Sequence, residues 1–253
     1  MGLFDFFSKA KDQDDKPAKR DKGGKSDREM ARFERLVSSK MTQNLDRQDA
    51  IRELSEMGTA RAARVLLKRF NWSMEPSITD QEEKEAAAAG IVAAGAEALG
   101  PIREYCQKAE SLHWPLSVLK DIVGGDELVE ELLGVLDQFD TEYLRNPEPK
   151  VQLLERLRDY PTEDVRIAVE PFVGDVNESV RFAAATTVLA IGNPASVEAL
   201  VAALDDEESL RIKNKIAQGL EELGWEIPEG LIASATKNLP PGFTTRAGKV
   251  ARG

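Results

Sequence analysis

Six times along this chain the same apolar quartet recurs at positions i, i+3, i+4 and i+7. The copies are Ala63, Leu66, Leu67, Phe70; Ala98, Pro101, Ile102, Tyr105; Val129, Leu132, Leu133, Leu136; Val165, Ala168, Val169, Phe172; Val197, Leu200, Val201, Leu204; and Ile232, Ala235, Thr236, Leu239. Successive first members lie 35, 31, 36, 32 and 35 residues apart. Each quartet is one stripe of an amphipathic helix. A second helical pattern lies between quartets, such as Leu116, Leu119, Ile122 and Val123. One pair of amphipathic helices cannot bury both its apolar faces, whereas stacked pairs share a continuous core. The period therefore predicts an all-α solenoid of about six helix pairs. No strand-length alternation competes with it.

The pair at 177–204 is the clearest. Val180, Ala183, Ala184, Thr187, Val188 and Ile191 form one helical face. Gly192 stands where a left-handed cap ends a helix, and Pro194 suits the first turn of the next. The stretch DVNESVRFAAATTVLAIGNPASVEALVAALDDEESLR resembles a HEAT repeat, in particular the short HEAT-like repeats of phycobilisome-lyase relatives. Its marks are the turn residue Asp175, Val180-Arg181 opening the first helix, small residues Ala183 to Ala185, and Gly192. The next copy offers Asp205, Leu210-Arg211, Ala217 and Gly224; the first offers Ala50, Ile51, Leu54 and Gly58. The match is strong over 163–224, fair over 44–70 and 80–109, and weak over 113–138. The resemblance implies a right-handed α-solenoid of about six HEAT-like helix pairs, of the kind found in bacterial proteins. It also implies that Asp175 with Arg181, and Asp205 with Arg211, bond between neighbouring repeats as a structural ladder.

The chain divides into an apolar N-terminal hook (1–10), a charged linker (11–28), the repeat region (29–239) and an irregular tail (240–253). Pro240 and Pro241 halt the last helix. The linker holds one apolar side chain, Ala18, and cannot bury itself. The hook sets Leu3, Phe4, Phe6 and Phe7 around Asp5. It is similar to the membrane-targeting start of a bacterial division-site regulator. Residues 1–30 sum to a charge of only +1, so attraction to a membrane surface would be mainly hydrophobic.

The formal net charge is −11, which argues against a general nucleic-acid binder. A single Cys and a single His exclude a disulfide framework and a His-rich metal centre. No span of ~18–20 apolar residues is present, and nothing at the start reads as a secretory signal. The sequence thus predicts a cytoplasmic protein with no cofactor, no metal and no small-molecule substrate. Cys106 continues the stripe Leu99, Ile102 and reads as a packing thiol; His113 reads as a turn or packing residue. A phosphate-binding loop is absent.

The leading function is a non-enzymatic scaffold that binds a protein partner. In HEAT-like arrays the second helices line the concave surface, which places Arg61, Arg64, Lys68 and Arg69 at one end of a groove. Glu127, Glu130 and Glu131 then stand further along, so the groove runs from basic to acidic. The rivals are a peripheral-membrane adaptor anchored by the hook, and an enzyme of chromophore-lyase or DNA-glycosylase type.

Overall fold

A computed structural model describes residues 26–253. The hook, with Leu3, Phe4, Phe6 and Phe7, and most of the linker lie outside the described residues. The first helix, α1 (Asp27–Ser38), begins two residues inside the segment expected to be linker. Its start is a capping box: the Glu29 amide donates to Ser26 Oγ (3.3 Å) and the Ser26 amide to Glu29 Oε2 (2.8 Å). Reciprocal bonds of this kind satisfy two amides that a helix start otherwise strands.

Six helix pairs follow: α2 (Asn44–Met57) with α3 (Ala60–Leu67), α4 (Ser77–Ala93) with α5 (Leu99–Cys106), and α6 (His113–Ile122) with α7 (Gly125–Leu136). Then come α8 (Glu148–Leu157) with α9 (Glu163–Val169), α10 (Glu178–Ile191) with α11 (Val197–Asp206), and α12 (Leu210–Leu223) with α13 (Ile232–Asn238). Every apolar quartet falls on the second helix of a pair or on the 3-10 turn continuous with it, except that Leu239 is the residue just after α13. The protein is mostly helical. Gly192 (φ 74°) and Gly224 (φ 62°) close α10 and α12 in the left-handed conformation, which a side chain would resist.

First helices pack on first helices: α2 on α4, α4 on α6, and α8 on α10, which also meets α12. Among second helices α3 packs on α5, α7 on α9, and α11 on α13. Neighbouring first helices run in the same direction. Arg47 of α2 meets Glu83 of α4, and about two turns later Ser55 meets Gly90, where an added Cβ would lie 2.7 Å from the serine Cβ.

One apolar core runs from Met30 to Val250. Val169, Phe172, Val188, Leu200 and Leu204 are all buried in it, each contributing roughly 1.5–3 kcal/mol by removal from water. Both ends of the stack are covered. At one end α1 lies on α2 and α3, burying Met30, Phe33 and Val37.

At the other end the expectation of an irregular tail fails. Strand β1 (Phe243–Arg246) pairs antiparallel with β2 (Lys249–Arg252). The hairpin packs on α12 and α13, burying Val250. Its two-residue turn is Ala247 (φ 49°) and Gly248 (φ 76°). Both residues sit in the left-handed region that matches the twist of a hairpin. The two prolines end α13, as expected, but the chain then folds back instead of trailing away.

Candidate interaction surface

The polar stripe of α3 and the 3-10 turn after it carries Arg61, Arg64 and Lys68, and each is already paired. Arg61 bonds Asp27 (2.6 Å), Arg64 forks onto Glu104 (3.0 and 2.9 Å), and Lys68 bonds Glu34. These partners come from α1 and α5, so the basic end of the expected groove is largely neutralised.

Arg69 is not on that surface at all; it is fully buried. The reason is its position four residues after Val65 and seven after Ala62, both buried. It therefore belongs to the inward stripe. Its guanidinium bonds Glu83 (2.9 Å), Asp80 (2.7 Å) and the Trp72 carbonyl (3.1 Å), and lies 3.8 Å from the centre of the Trp72 ring. Arg47, also fully buried, approaches the same carboxylate, with Nε 2.6 Å and Nη2 3.0 Å from Glu83. Lys84 completes the cluster through Asp80 (2.7 Å) and Ser73 (2.9 Å). Burial would raise the Asp80 carboxyl, but the bonds from Lys84 and Arg69 outweigh it and hold Asp80 below the usual carboxylate range.

The ladder expected between Asp and Arg is wired differently. Asp175 is buried, but its carboxylate takes Lys150 (2.8 Å) and the Asn177 amide (2.7 Å). Arg181 reaches only the carbonyls of Asp175 (3.0 Å) and Val176 (3.1 Å) in that turn. Its guanidinium instead forks onto Glu207 of the following repeat (2.8 and 2.9 Å). Asp205 and Arg211 do not pair. Asp205 still lies within α11 and accepts from Ser234 and Asn238 (2.7 Å to the latter). Arg211 stacks on the Phe182 ring at 3.6 Å. The turn acid that follows α11 is thus Glu207, two residues later than expected. Burial pushes its carboxyl up, but the bonds from Arg181 and from the Ser209 amide win and hold it low.

Glu131 also departs from expectation. It is largely buried and bonds Arg103 of the preceding pair (Nε to Oε2 2.7 Å). Glu127 and Glu130 do stand exposed on α7. Exposed carboxylates also stand on the neighbouring second helices, Asp164 on α9 and Glu198 and Asp206 on α11. None of these five carboxylates has a cation within bonding distance among the described residues. Neither α7 nor α11 contains a basic residue. On α9, Arg166 is committed to Glu163 (2.7 Å) and Glu170 (2.6 Å). These helices belong to one layer, linked through α9 and the 3-10 turn after it.

The remaining reactive groups do not converge. Cys106 is buried, which pushes its thiol up to about 12, and a neutral thiol is a poor nucleophile. His113 is exposed and meets the Trp114 ring edge-on. Among the described residues no group of His, Cys, Asp and Glu is arranged to hold a metal. No single helix there is long and apolar enough to cross a membrane. The chain matches no protein-family model, and no curated protein shows significant similarity to it.

Proposed function

We propose that this protein is a non-enzymatic adaptor of the cytoplasm, built as a right-handed HEAT-like α-solenoid, and that it binds a basic segment of a partner protein. Support for the solenoid reading is the parallel stacking of first helices and the cover at each end, by α1 and by the hairpin. Repeat arrays need such capping because their terminal faces would otherwise meet water.

The observation that carries the choice of partner is the acidic surface of α7, α9 and α11, whose carboxylates lack intramolecular cations. The basic residues of α3 carry internal partners and compete poorly as docking points. A net acidic field of this kind speeds encounter with an opposite charge and rejects like-charged chains. The groove proposed is thus acidic over its later half, rather than graded from basic to acidic.

The test is affinity purification from the native host with three bait proteins. These are the wild type, the charge-reversed Glu127→Lys, Glu130→Lys, Glu198→Lys variant, and an Arg64→Glu control. A basic protein should be retained by wild type and control, released by salt, and lost with the charge-reversed bait. Identical sets of bound proteins on wild type and the charge-reversed bait would overturn the proposal.

A further inference from the structure

A cleft of about 840 Å3 lies between α1 and α3. Its apolar wall is Ala31 of α1 and Met57 at the end of α2, with Met30 and Val65 largely buried behind them, and its charged lining is mixed: Arg61, Arg64 and Lys68 stand with Asp27, Glu34 and Glu97. Two thioethers in one cleft make a deformable apolar surface that pairs well with aromatic rings. The described chain also begins at this place. Ser26 caps α1, and the next residue, Asp27, lines the cleft and bonds Arg61 (2.6 Å).

The segment that joins Ser26 carries three phenylalanines and a leucine within residues 3–7, with Asp5 its one charged side chain. We propose that residues 3–7 of this same chain dock in the α1–α3 cleft. In that position the phenylalanines of the segment cover Met57 and Ala31.

Reach does not limit the contact. Residues 8–25 span as much as ~60 Å when extended, and their far end joins the helix that forms one wall of the cleft. Tethering of this kind gives an effective concentration on the order of millimolar, so modest contact energy suffices. The contact also removes from water a run of bulky apolar side chains that would otherwise favour association. It covers the α1–α3 end of the molecule and leaves α7, α9 and α11 open, so it stands or falls independently of the acidic-surface proposal.

The experiment places a benzophenone photocross-linker at position 4 of the full-length chain and maps the products by mass spectrometry. The expected products join position 4 to peptides containing Met30 or Met57 of the same chain, at a yield unchanged by dilution. Ala31→Glu, at an exposed position of the cleft wall, should abolish them while circular dichroism shows the helices intact; Phe7→Asp should do the same. Products that form between chains and fade on dilution would mean a second copy is the occupant. Products on another face, or no intramolecular product, would likewise overturn the proposal. So would cross-linking to phospholipid in place of Met30 and Met57 when vesicles of phosphatidylcholine and phosphatidylglycerol are present. Products unchanged by Ala31→Glu would place the segment outside the cleft and also overturn it.

Discussion

The junction of α2 with α4 and the junction of α10 with α12 solve the same packing problem with opposite materials. In both, parallel first helices approach closely at a glycine, Gly90 in one and Gly219 in the other. In both, a cation of one repeat reaches a carboxylate of the next. The difference lies in the residue that opens the inward stripe of each first helix. In α2 and α4 it is a charge, Arg47 and Glu83; in α8 it is Lys150. In α10 and α12 it is aliphatic, Val180 and Ile212. The α2–α4 junction therefore buries an ion network around Trp72. The α10–α12 junction keeps its ion pair at the turn, where Arg181 remains partly exposed. A buried network is strong only while every member is satisfied.

That asymmetry predicts the largest mutational effect. Glu83→Ala leaves Arg47 and Arg69 buried with their shared carboxylate gone. Loss of one partner of a buried pair costs about 3–5 kcal/mol. Urea unfolding of the variant should show it as a lowered midpoint. A cost within the range of an ordinary surface change would mean that the α2–α4 network is dispensable and the contrast between the junctions is false.

The two glycines sharpen the comparison at a smaller scale. A Cβ at Gly90 would press on the Ser55 Cβ at 2.7 Å, which only a backbone shift relieves. At Gly219 it would meet the tip of Leu189, with both terminal methyls at 2.5 Å, and a rotamer change can move a leucine tip. Overpacking costs about 1–3 kcal/mol, while alanine regains up to ~1 kcal/mol of helix propensity over glycine. Gly90→Ala should therefore destabilise clearly, and Gly219→Ala by less, in paired thermal melts. Equal losses would show that both junctions are equally rigid.

Arg181→Ala tests the second junction directly. It strands the buried Glu207 carboxylate and the carbonyls of the Asp175 turn, at a cost of about 1–3 kcal/mol. The effect should depend on pH. Glu207 is held below its ordinary range in the fold, so its contribution is full above the unfolded carboxylate value, near ~4.3. It fades as pH falls through the lower folded value. The gap between wild type and variant should be widest near neutrality and narrow in acid. A gap that widens in acid would assign the wrong group to the linkage.

Much of this was legible in the residues. The six quartets mark the second helices, and the glycine stops at Gly58, Gly192 and Gly224 mark where first helices end. The buried charges were legible too, by a signal the helix pattern contains: Arg47 precedes Ala50, Ile51 and Leu54, and Lys150 precedes Leu153, Leu154 and Leu157. A charge standing in an apolar stripe must find a buried partner. Which partner it finds was not legible. Arg181 selects Glu207 over Asp175 because α11 runs on to Asp206 and sets the turn beyond it, a boundary that local propensity does not fix to the residue. The hairpin was hidden because its turn is Ala-Gly rather than the Asn-Gly that announces two left-handed residues.

The smallest expected effect concerns Arg64, one of the four basic residues that the sequence places at one end of the groove. Its fork onto Glu104 has good geometry, but the side chains are 49% and 61% exposed. Pairs held in water contribute about 0–1 kcal/mol, because solvent screens the attraction and two long side chains lose freedom. Arg64→Ala should therefore shift the unfolding midpoint little, and less still in high salt. It should also leave binding of a basic partner to the α7–α11 surface unchanged. Set beside Glu83→Ala it separates exposure from charge, since both substitutions break a bidentate arginine–carboxylate contact between neighbouring repeats. If the two cost the same, burial is not what distinguishes these junctions. If Arg64→Ala alone weakened partner binding, the functional end of the molecule would be α3 rather than α7 to α11.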